Sequence, residues 1–386
     1  MTGSTRTRPR TDQNSSTGPK KRVKVEHDAG DALSAAAPGI PERSKDLWLE
    51  DGNVIIAARD MAFRVHASVL VRRSEVFKVL LGGTALAQLR EKYERCPVLR
   101  VEDDSRVLHD MLQVLYDGGN SDWLNSKRPP IPYAEFRALA AIALKYQVKE
   151  IIDEAVFRLS RMFPTDDMYS WDPNLEPDGA NTPITMDDAD CIDALRLARL
   201  LGMHASLPLV FYACCDLLAP ADLLAGVHFP GAPEPVRLSD ADLRTVLDAL
   251  DTLQAASARK WRALPELAAM FSSAPPPGCT ARVQCRRAFD TLSFAAIDAG
   301  LYRDCGPVDP ADWWLENEQT RLGVRMCKAC GEKLRKTIDE RREEVWQKLG
   351  TIFGVEDWPA GQPEVSVPLK LSFTRFLSPC SPITVQ

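Results

Sequence analysis

The chain has 386 residues, 45% of them apolar and 26% charged, which is enough to bury the cores of two to three globular domains. No apolar run is long enough to cross a bilayer, so we expect no membrane role. The first 25 residues hold seven Lys or Arg and one acid, so they carry +6 and leave −12 for the rest of a chain whose net charge is −6. An acidic body repels phosphate, and we therefore do not expect it to bind nucleic acid directly.

The first segment, residues 1–44, is rich in Ser, Thr, Pro and Gly and is predicted to be a disordered basic tail. Within it the run from Pro19 to Lys24 resembles a monopartite nuclear import signal, which an acidic groove of an import receptor binds. The charges that would make this contact are Lys20, Lys21, Arg22 and Lys24. The simpler alternative is a solvated basic tail on a cytoplasmic protein.

The next stretch is predicted to change from strand to helix. Two apolar runs, Leu47–Leu49 and Val54–Ala58, flank Asp51-Gly52-Asn53, which is typical of a tight hairpin with positive-φ turn residues. A third extended run covers 61–65, and the chain should become helical at His66. One helical face would then be formed by Leu70, Ser74, Phe77 and Leu81.

A helix and a loop follow. Val107–Tyr116 is predicted to be a helix with a regular apolar face. The next segment, Asp117–Pro132, is rich in Gly, Asn, Ser and Pro, which indicates a surface loop.

This arrangement resembles the BTB/POZ domain, whose spaced signature is matched by Asp46, Phe63, His66, Leu70, Ser74 and Phe77. Further along the chain, Cys96–Val101 resembles the last core strand of that domain, Val107–Tyr116 its next helix, and Tyr133–Tyr146 with Lys149–Met162 its closing pair of helices. The resemblance implies an α+β fold over residues 45–164, a small mixed sheet with α-helices, followed by mainly α-helical regions. It also implies a protein-interaction module that forms homodimers or heterodimers and recruits cullin ubiquitin ligases or co-repressors. His66 is expected to be a structural residue rather than a catalytic one.

Two departures from the family restrict what can be carried over. Residues 30–44 contain Pro38, Gly39 and Pro41 and make a poor helix. The tight dimer of some members, in which an apolar helix before the first strand is exchanged between subunits, is therefore not implied. Ala67 stands where those members place a basic residue after the signature histidine. The co-repressor groove is therefore not implied either.

The remainder is divided by composition. Residues 165–186 are predicted to be a linker loop, 187–273 a helical region and 274–358 a helical region with cysteines, ending in an irregular tail at 359–386. Ser239 is predicted to cap one helix, and Glu332–Leu349 to form another. The segments 192–195 and 207–212 resemble those that follow the BTB domain in fungal proteins, which suggests a protein of the fungal type.

The cysteines are the strongest candidates for chemistry. Cys327 and Cys330 form a Cys-x-x-Cys-Gly turn, and Cys279 and Cys285 could supply two more thiolates, so one structural zinc ion is a possible cofactor. The alternatives are ordinary reduced cysteines and, less favoured, a thioredoxin-like redox pair. Ten cysteines spread through a large chain without a secretory signal suit a reducing compartment.

No motif indicates catalysis. The chain has no phosphate-binding glycine loop, no Gly-x-Ser-x-Gly and no His-Glu-x-x-His. The sequence therefore predicts a non-enzymatic interaction protein in the nucleus, either a scaffold or a transcription-related regulator. A substrate adaptor of a cullin ubiquitin ligase is the alternative.

Overall fold

The computed structural model describes residues 39–120, 123–124, 130–172, 182–229, 233–304, 306–356 and 358. The import run with Lys20, Lys21, Arg22 and Lys24, the predicted disorder of 1–38 and the C-terminal tail (359–386) lie outside these residues. The described residues from Ile40 onward form one compact unit. Within the described part, no helix is both long and apolar enough to traverse a lipid bilayer.

A five-stranded mixed sheet begins the folded part. Its strands are β1 (Glu42–Trp48), β2 (Val54–Ala57), β3 (Met61–Val65), β4 (Lys92–Tyr93) and β5 (Cys96–Arg100). Their order is β1-β3-β2-β5-β4, with β1 parallel to β3, β2 antiparallel to β3, and β2 parallel to β5. Because β1 starts at Glu42, ordered structure begins inside the segment predicted as tail.

The predicted hairpin between Leu47–Leu49 and Val54–Ala58 is wrong. The chain turns after β1, with Gly52 donating to Leu49 O at 3.0 Å, and then crosses to the other side of β3. The real hairpin joins β2 to β3 through Arg59-Asp60, and Ala58 donates to Met61 O at 2.9 Å. β2 therefore pairs with β3 and β5, and not with β1, which precedes it in the chain.

Gly52 is required for close approach rather than for an unusual φ angle. It is not among the described glycines with positive φ. A Cβ at this position would lie 2.9 Å from Cγ of Arg64, whose Nε donates to Gly52 O at 2.9 Å. A side chain here would therefore push β3 away from the turn.

The sheet is covered on both faces, which explains why every residue of β2 is buried. Val54 and Ile56 point into the main core, whereas Ile55 and Ala57 pack in a second cluster with Cys96 and Val98. Alternate residues of a strand face opposite sides, so a continuous apolar run suits a central strand.

Helices cover the main-core face, and their bounds are α1 (Ala67–Arg73), α2 (Glu75–Leu81), α3 (Ala85–Gln88), α4 (Ser105–Asp117), α5 (Tyr133–Tyr146) and α6 (Lys149–Met162). The predicted α5 and α6 are confirmed, and the predicted 107–116 helix begins two residues earlier. The expected single helical face after His66 is interrupted, since Ser74 is extended and separates α1 from α2. The four residues predicted to form that face, Leu70, Ser74, Phe77 and Leu81, are nevertheless all buried.

The insertion between α4 and α5 is only partly a surface loop. Trp123 is 5% exposed and stacks on Phe136 with ring centroids 5.5 Å apart. The insertion ends in β6 (Ile131–Pro132), which pairs in parallel with β7 (Ile184–Thr185). A tryptophan buried against α5 gives the loop a fixed attachment that its Gly and Pro content did not predict.

The rest of the described chain is mainly helical, as expected. The helices are α7 (Met168–Trp171), α8 (Cys191–Leu200), α9 (Leu207–Leu217), α10 (Pro220–Ala225), α11 (Asp240–Trp261), α12 (Ala263–Met270), α13 (Arg282–Asp298), α14 (Asp312–Leu322), α15 (Lys328–Trp346) and α16 (Leu349–Phe353). Ser239 caps α11 by accepting from Asp242 N, which confirms that prediction. The predicted helix over 332–349 instead spans α15 and the start of α16.

Two hydrophobic cores organise these helices. The main core runs without a break from β2 through α5 and α6 to α8, α9 and α16, where Phe211 stacks on Phe353. A second core is built from α12, α13, α14 and α15 and contains Cys285 and Cys330. The predicted domain at 45–164 and the helices α8 and α9 that follow it therefore share one core. The four cysteines considered as zinc ligands belong to the second core.

Candidate functional site

His66 lies at the junction where β3 ends and α1 begins. Its backbone N–H donates to the hydroxyl of Tyr116 at 2.7 Å, and its Nδ1 lies 3.0 Å from the same oxygen. Its Nε2 is 3.1 Å from Oδ2 of Asp51, and Asn53 Oδ1 accepts from Ala67 N at 2.8 Å. Both ring nitrogens are thus engaged in joining the turn before β2 to α1 and α4.

The chemistry around His66 does not favour a nucleophile. Burial raises the pKa of Tyr116, so its phenol stays protonated at neutral pH. The hydrogen bond to His66 lowers the pKa of the exposed Asp51 carboxyl, which remains an ion. A protonated phenol and a carboxylate on either side of an imidazole hold the imidazole in place.

Ser74 and Phe77 connect the first helices to α5. The Ser74 hydroxyl accepts from Phe77 N at 3.0 Å and donates to Tyr146 O at 2.5 Å. Phe77 stacks on the ring of Tyr146 with centroids 4.5 Å apart. The signature positions Phe63 and Leu70 are fully buried beside them, whereas Asp46 is exposed on β1, 3.8 Å from His109.

A buried ion pair completes this part of the fold. Asp103 accepts from Lys145 Nζ and from Tyr146 Oη, both at 2.6 Å. All three side chains are almost fully buried. Burial and the Asp103 charge raise the pKa of Tyr146, so the tyrosine acts as a permanent donor. Sequence reasoning missed this triad, because Lys145 and Tyr146 lie 42 and 43 residues from Asp103.

The four cysteines singled out in the sequence converge. The Sγ atoms of Cys279, Cys285, Cys327 and Cys330 all lie within 4.8 Å of one another. Four sulfurs bound to one zinc ion at about 2.3 Å stand about 3.8 Å apart, so small shifts would bring this set to tetrahedral coordination. Cys285 and Cys330 are buried and the other two are partly exposed.

Two helix N-termini create the convergence. Cys327 is the N-cap of α15 and Cys330 lies in its first turn, while Cys285 lies near the start of α13. The backbone N–H of Cys327 donates to Sγ of Cys285 at 3.2 Å. The positive ends of the two helix dipoles and their free N–H groups stabilise negative sulfur.

The cluster combines one thiol of lowered pKa with two thiols of raised pKa. Burial alone would raise the pKa of Cys327, but hydrogen bonds from the backbones of Thr280 and Cys330 lower it to about 6. Burial and the neighbouring thiols raise the pKa of Cys330 and of Cys285. Without a cation, four thiolates repel one another, so a bound metal ion is what would allow all of them to ionise.

The same geometry argues against a redox pair. A thioredoxin-like dithiol follows a strand, yet the described residues 306–356 contain only helices and turns. Cys214 and Cys215 are both buried in the main core, and Cys214 faces Cys191.

Sequence reasoning missed a cluster of buried charges between α9, α11 and α15. Asp216 and Asp309 face each other, and Lys260 donates to the carbonyl of Gly306 at 2.5 Å. Arg342 donates to Val308 O at 2.7 Å and pairs with Asp172. The sequence signal that could have found this cluster is Asp216, the one charged residue of the apolar helix α9.

Comparison with known families agrees with this architecture. Residues 48–161 match the BTB/POZ domain, so the chain contains a BTB domain with a small mixed sheet and helices, followed by a mostly helical region. A search of curated proteins found no match. BTB domains are protein-interaction domains, which makes residues 48–161 an interaction module.

Proposed function

We propose that this protein is a non-enzymatic nuclear scaffold or transcription-related regulator that holds partner proteins through its BTB domain. The observation that carries the proposal is the match of residues 48–161 to the BTB/POZ domain. The bonding of His66 supports it, because both ring nitrogens are used to join structural elements. The basic run at Lys20–Lys24 supports the nuclear location through an import receptor.

Two finer features belong to the same proposal. The helices α8 and α9 contain the segments that resemble fungal BTB proteins, and we infer a protein of the fungal type. We also infer homo- or heterodimers formed by surface packing. β1 pairs with β3 of its own chain, so such a dimer does not need to exchange this strand.

Capture of partners from nuclear extract tests the proposal. Val79 on α2 and Phe157 on α6 are 76% and 46% exposed, so changing both to Asp alters the domain surface without emptying its core. Partners recovered with the native chain should be lost from this variant. Trp313→Asp, at a site outside the domain that is 65% exposed, is the matched control and should retain them. Equal recovery by both variants would contradict the proposal.

A substrate adaptor for a cullin ubiquitin ligase is the second candidate. It is favoured by the separate second core, which offers a surface outside the BTB domain for choosing a substrate. A direct binding assay with a purified cullin decides between the two roles. Saturable binding would support the adaptor, and absence of affinity would remove it.

We also propose that the four converging cysteines hold one structural zinc ion. Four sulfurs close the coordination sphere, so such an ion would fix the N-termini of α13 and α15 rather than act on a substrate. Elemental analysis should find about one zinc per chain in the native protein and in Cys96→Ser, whose thiol lies elsewhere. Cys330→Ser should lose it, and a folded native protein without zinc would refute the assignment.

A further inference from the structure

A groove between α12 and α13 concentrates exposed apolar side chains. Val283, Phe294 and Ile297 on α13 are 84%, 69% and 59% exposed, and Met270 at the end of α12 is 39% exposed. Monomeric proteins scatter such side chains singly, whereas a contiguous set marks an interaction surface. None of these residues belongs to the BTB domain or to the cysteine cluster.

The exposed face of α13 forms a continuous stripe. Its members are 283, the adjacent pair 286 and 287, then 290, 294 and 297. Apart from that pair, successive members are three or four residues apart along one side of the helix. At 1.5 Å per residue the stripe from Val283 to Ile297 is about 21 Å long. That length accommodates about four turns of a second helix.

Two cavities line this stripe and share Arg286, Asp290 and Phe294. The first, of about 490 Å³, extends from Phe271 to Val283. The second, of about 340 Å³, extends along α12 towards Tyr302. Adjacent depressions on both sides of Phe294 are suited to apolar side chains that project from one face of a partner helix.

The charge of the groove is opposite to that of the folded body. Arg282, Arg286 and Arg287 line the larger cavity with a single acid, Asp290. Arg286 and Asp290 are 3.8 Å apart, and both side chains are more than half exposed, so this pair is loosely held. Among the described residues, Arg287 has no carboxylate partner within ion-pair distance. The groove therefore offers cationic groups to an anionic partner.

Other occupants fit less well. Residues 1–38 hold seven basic and four acidic residues, and residues 359–386 hold two basic and one acidic, so each carries the same sign as the groove. A second copy would bring three more arginines and one more acid, so it would add positive charge to the interface instead of neutralising it. Single-stranded nucleic acid is bound by stacking successive bases on several aromatic rings, whereas Phe294 is the one strongly exposed aromatic ring among the described residues that line the two cavities.

We propose that the α12–α13 groove is a docking site for an acidic amphipathic helix of a partner protein. Leucine-like side chains at i, i+3, i+4 and i+7 fill the two cavities, and flanking glutamates or aspartates pair with Arg282, Arg286 and Arg287. The inference goes beyond the proposed function, because it assigns a second interaction surface that is independent of the BTB domain.

Fluorescence anisotropy of the full-length protein tests the site directly. The probe is a fluorescein-labelled helical peptide of about 16 residues, with Leu on one face and Glu on the flanks. We expect saturable binding with a dissociation constant of about 1–100 μM that weakens as salt rises. Two control peptides, one with Lys in place of Glu and one with the same composition but no apolar face, should bind at least about tenfold more weakly.

Matched variants locate the binding. The double change Arg286→Glu and Arg287→Glu should weaken binding at least about tenfold, as should Phe294→Asp. Val79→Asp, on the exposed face of the BTB domain, should leave it unchanged, so failure of the BTB proposal would not be mistaken for failure of this one. The double change Arg244→Glu and Arg321→Glu, at exposed sites on other helices, controls for net charge.

Several outcomes would overturn the proposal. These are no saturable binding of the acidic peptide, equal binding of the lysine peptide, or binding that survives Phe294→Asp in a variant that is still folded by circular dichroism. Self-association of the native chain abolished by Phe294→Asp would instead assign the groove to a second copy. Tight RNA binding lost on reversal of Arg286 and Arg287 would assign it to nucleic acid.

Discussion

Asp216 and Asp309 are two carboxyl groups that face each other beside the backbone of Gly306. Burial, and then the charge of Asp309, raise the pKa of Asp216 well above its ordinary value. Lys260, Asp304 and Arg342 also face this cluster, and burial lowers the pKa of Lys260. The fold therefore favours a proton on Asp216.

Asp216→Asn tests this protonation. A raised carboxyl pKa stabilises the folded state at low pH, and this contribution is lost as pH rises through the folded pKa. Asn keeps a donor towards Asp309 and cannot ionise. We expect the variant to have a higher free energy of unfolding than the native chain at pH 8 and a smaller change between pH 5 and 8, measured by urea denaturation.

The control for this comparison is Asp251→Asn, at an exposed position of α11. It should reproduce the native pH dependence. A native-like pH dependence in Asp216→Asn would contradict the assignment of the proton to this carboxyl.

Ser74 makes a second residue-level prediction. Its hydroxyl caps α2 and donates to Tyr146 O, and both bonds are buried. Ser74→Ala should lower the free energy of unfolding by about 2 kcal/mol, because it removes a cap and leaves a buried carbonyl without this donor. The exposed Ser68→Ala serves as the control. A change of the same size in both variants would contradict this role.

At the scale of residues, sequence spacing predicted which side chains are buried, but it did not predict which hydrogen bonds they form. The apolar signature residues Phe63, Leu70 and Phe77 could be placed in the core from their intervals alone. The partners of His66 and Ser74 could not, because Tyr116 and Tyr146 are 50 and 72 residues away and their approach depends on how α4 and α5 pack.

At the scale of elements, the sequence is sufficient where a family resemblance or a local cap decides the structure. The bounds of α5 and α6 follow from the resemblance to the BTB/POZ domain, and the cap of α11 follows from one serine. The hairpin prediction was wrong because strand pairing depends on tertiary structure. Leu47–Leu49 and Val54–Ala58 have the composition of paired strands, but only the tertiary order β1-β3-β2 decides which strand each one contacts.

The N-terminal turns of α13 and α15 provide a prediction for the proposed zinc ion. Removal of metal with a chelator should raise amide hydrogen exchange in residues 282–286 and 327–331 at least about tenfold, since the four sulfurs are then no longer bound to one ion that joins the two helix N-termini. Exchange in β2 and α5, which belong to the other core, should change little. Unchanged exchange near the cysteines after chelation would contradict a metal that holds these helices.

At the scale of the whole molecule, the shared core determines how the chain can be dissected. Helices α8, α9 and α16 pack into the same core as the BTB domain, so deletion of that domain would expose their apolar faces. Composition marked a boundary near residue 165 because Pro and acidic residues gather there. It could not reveal that Met168 and Trp171 within this stretch are buried.

The import proposal also concerns the whole chain. Changing Lys20, Lys21, Arg22 and Lys24 together to Ala removes the positive charge that an acidic receptor groove would bind. A fluorescent fusion of the variant should move from the nucleus to the cytoplasm. The control changes four other basic residues, Arg6, Arg8, Arg10 and Lys45, to Ala and should leave the fusion nuclear. Nuclear signal in both variants would contradict the assigned run.

The most direct test of the central claim is cross-linking mass spectrometry of the full-length protein isolated from nuclei with its partners bound. Lys78, Lys92 and Lys149 place reactive amines around the BTB domain, so contacts made by that domain can be recorded without deleting it. The account predicts that cross-links to partner proteins involve residues 48–161. Reproducible complexes whose cross-links all fall outside 48–161 would contradict it.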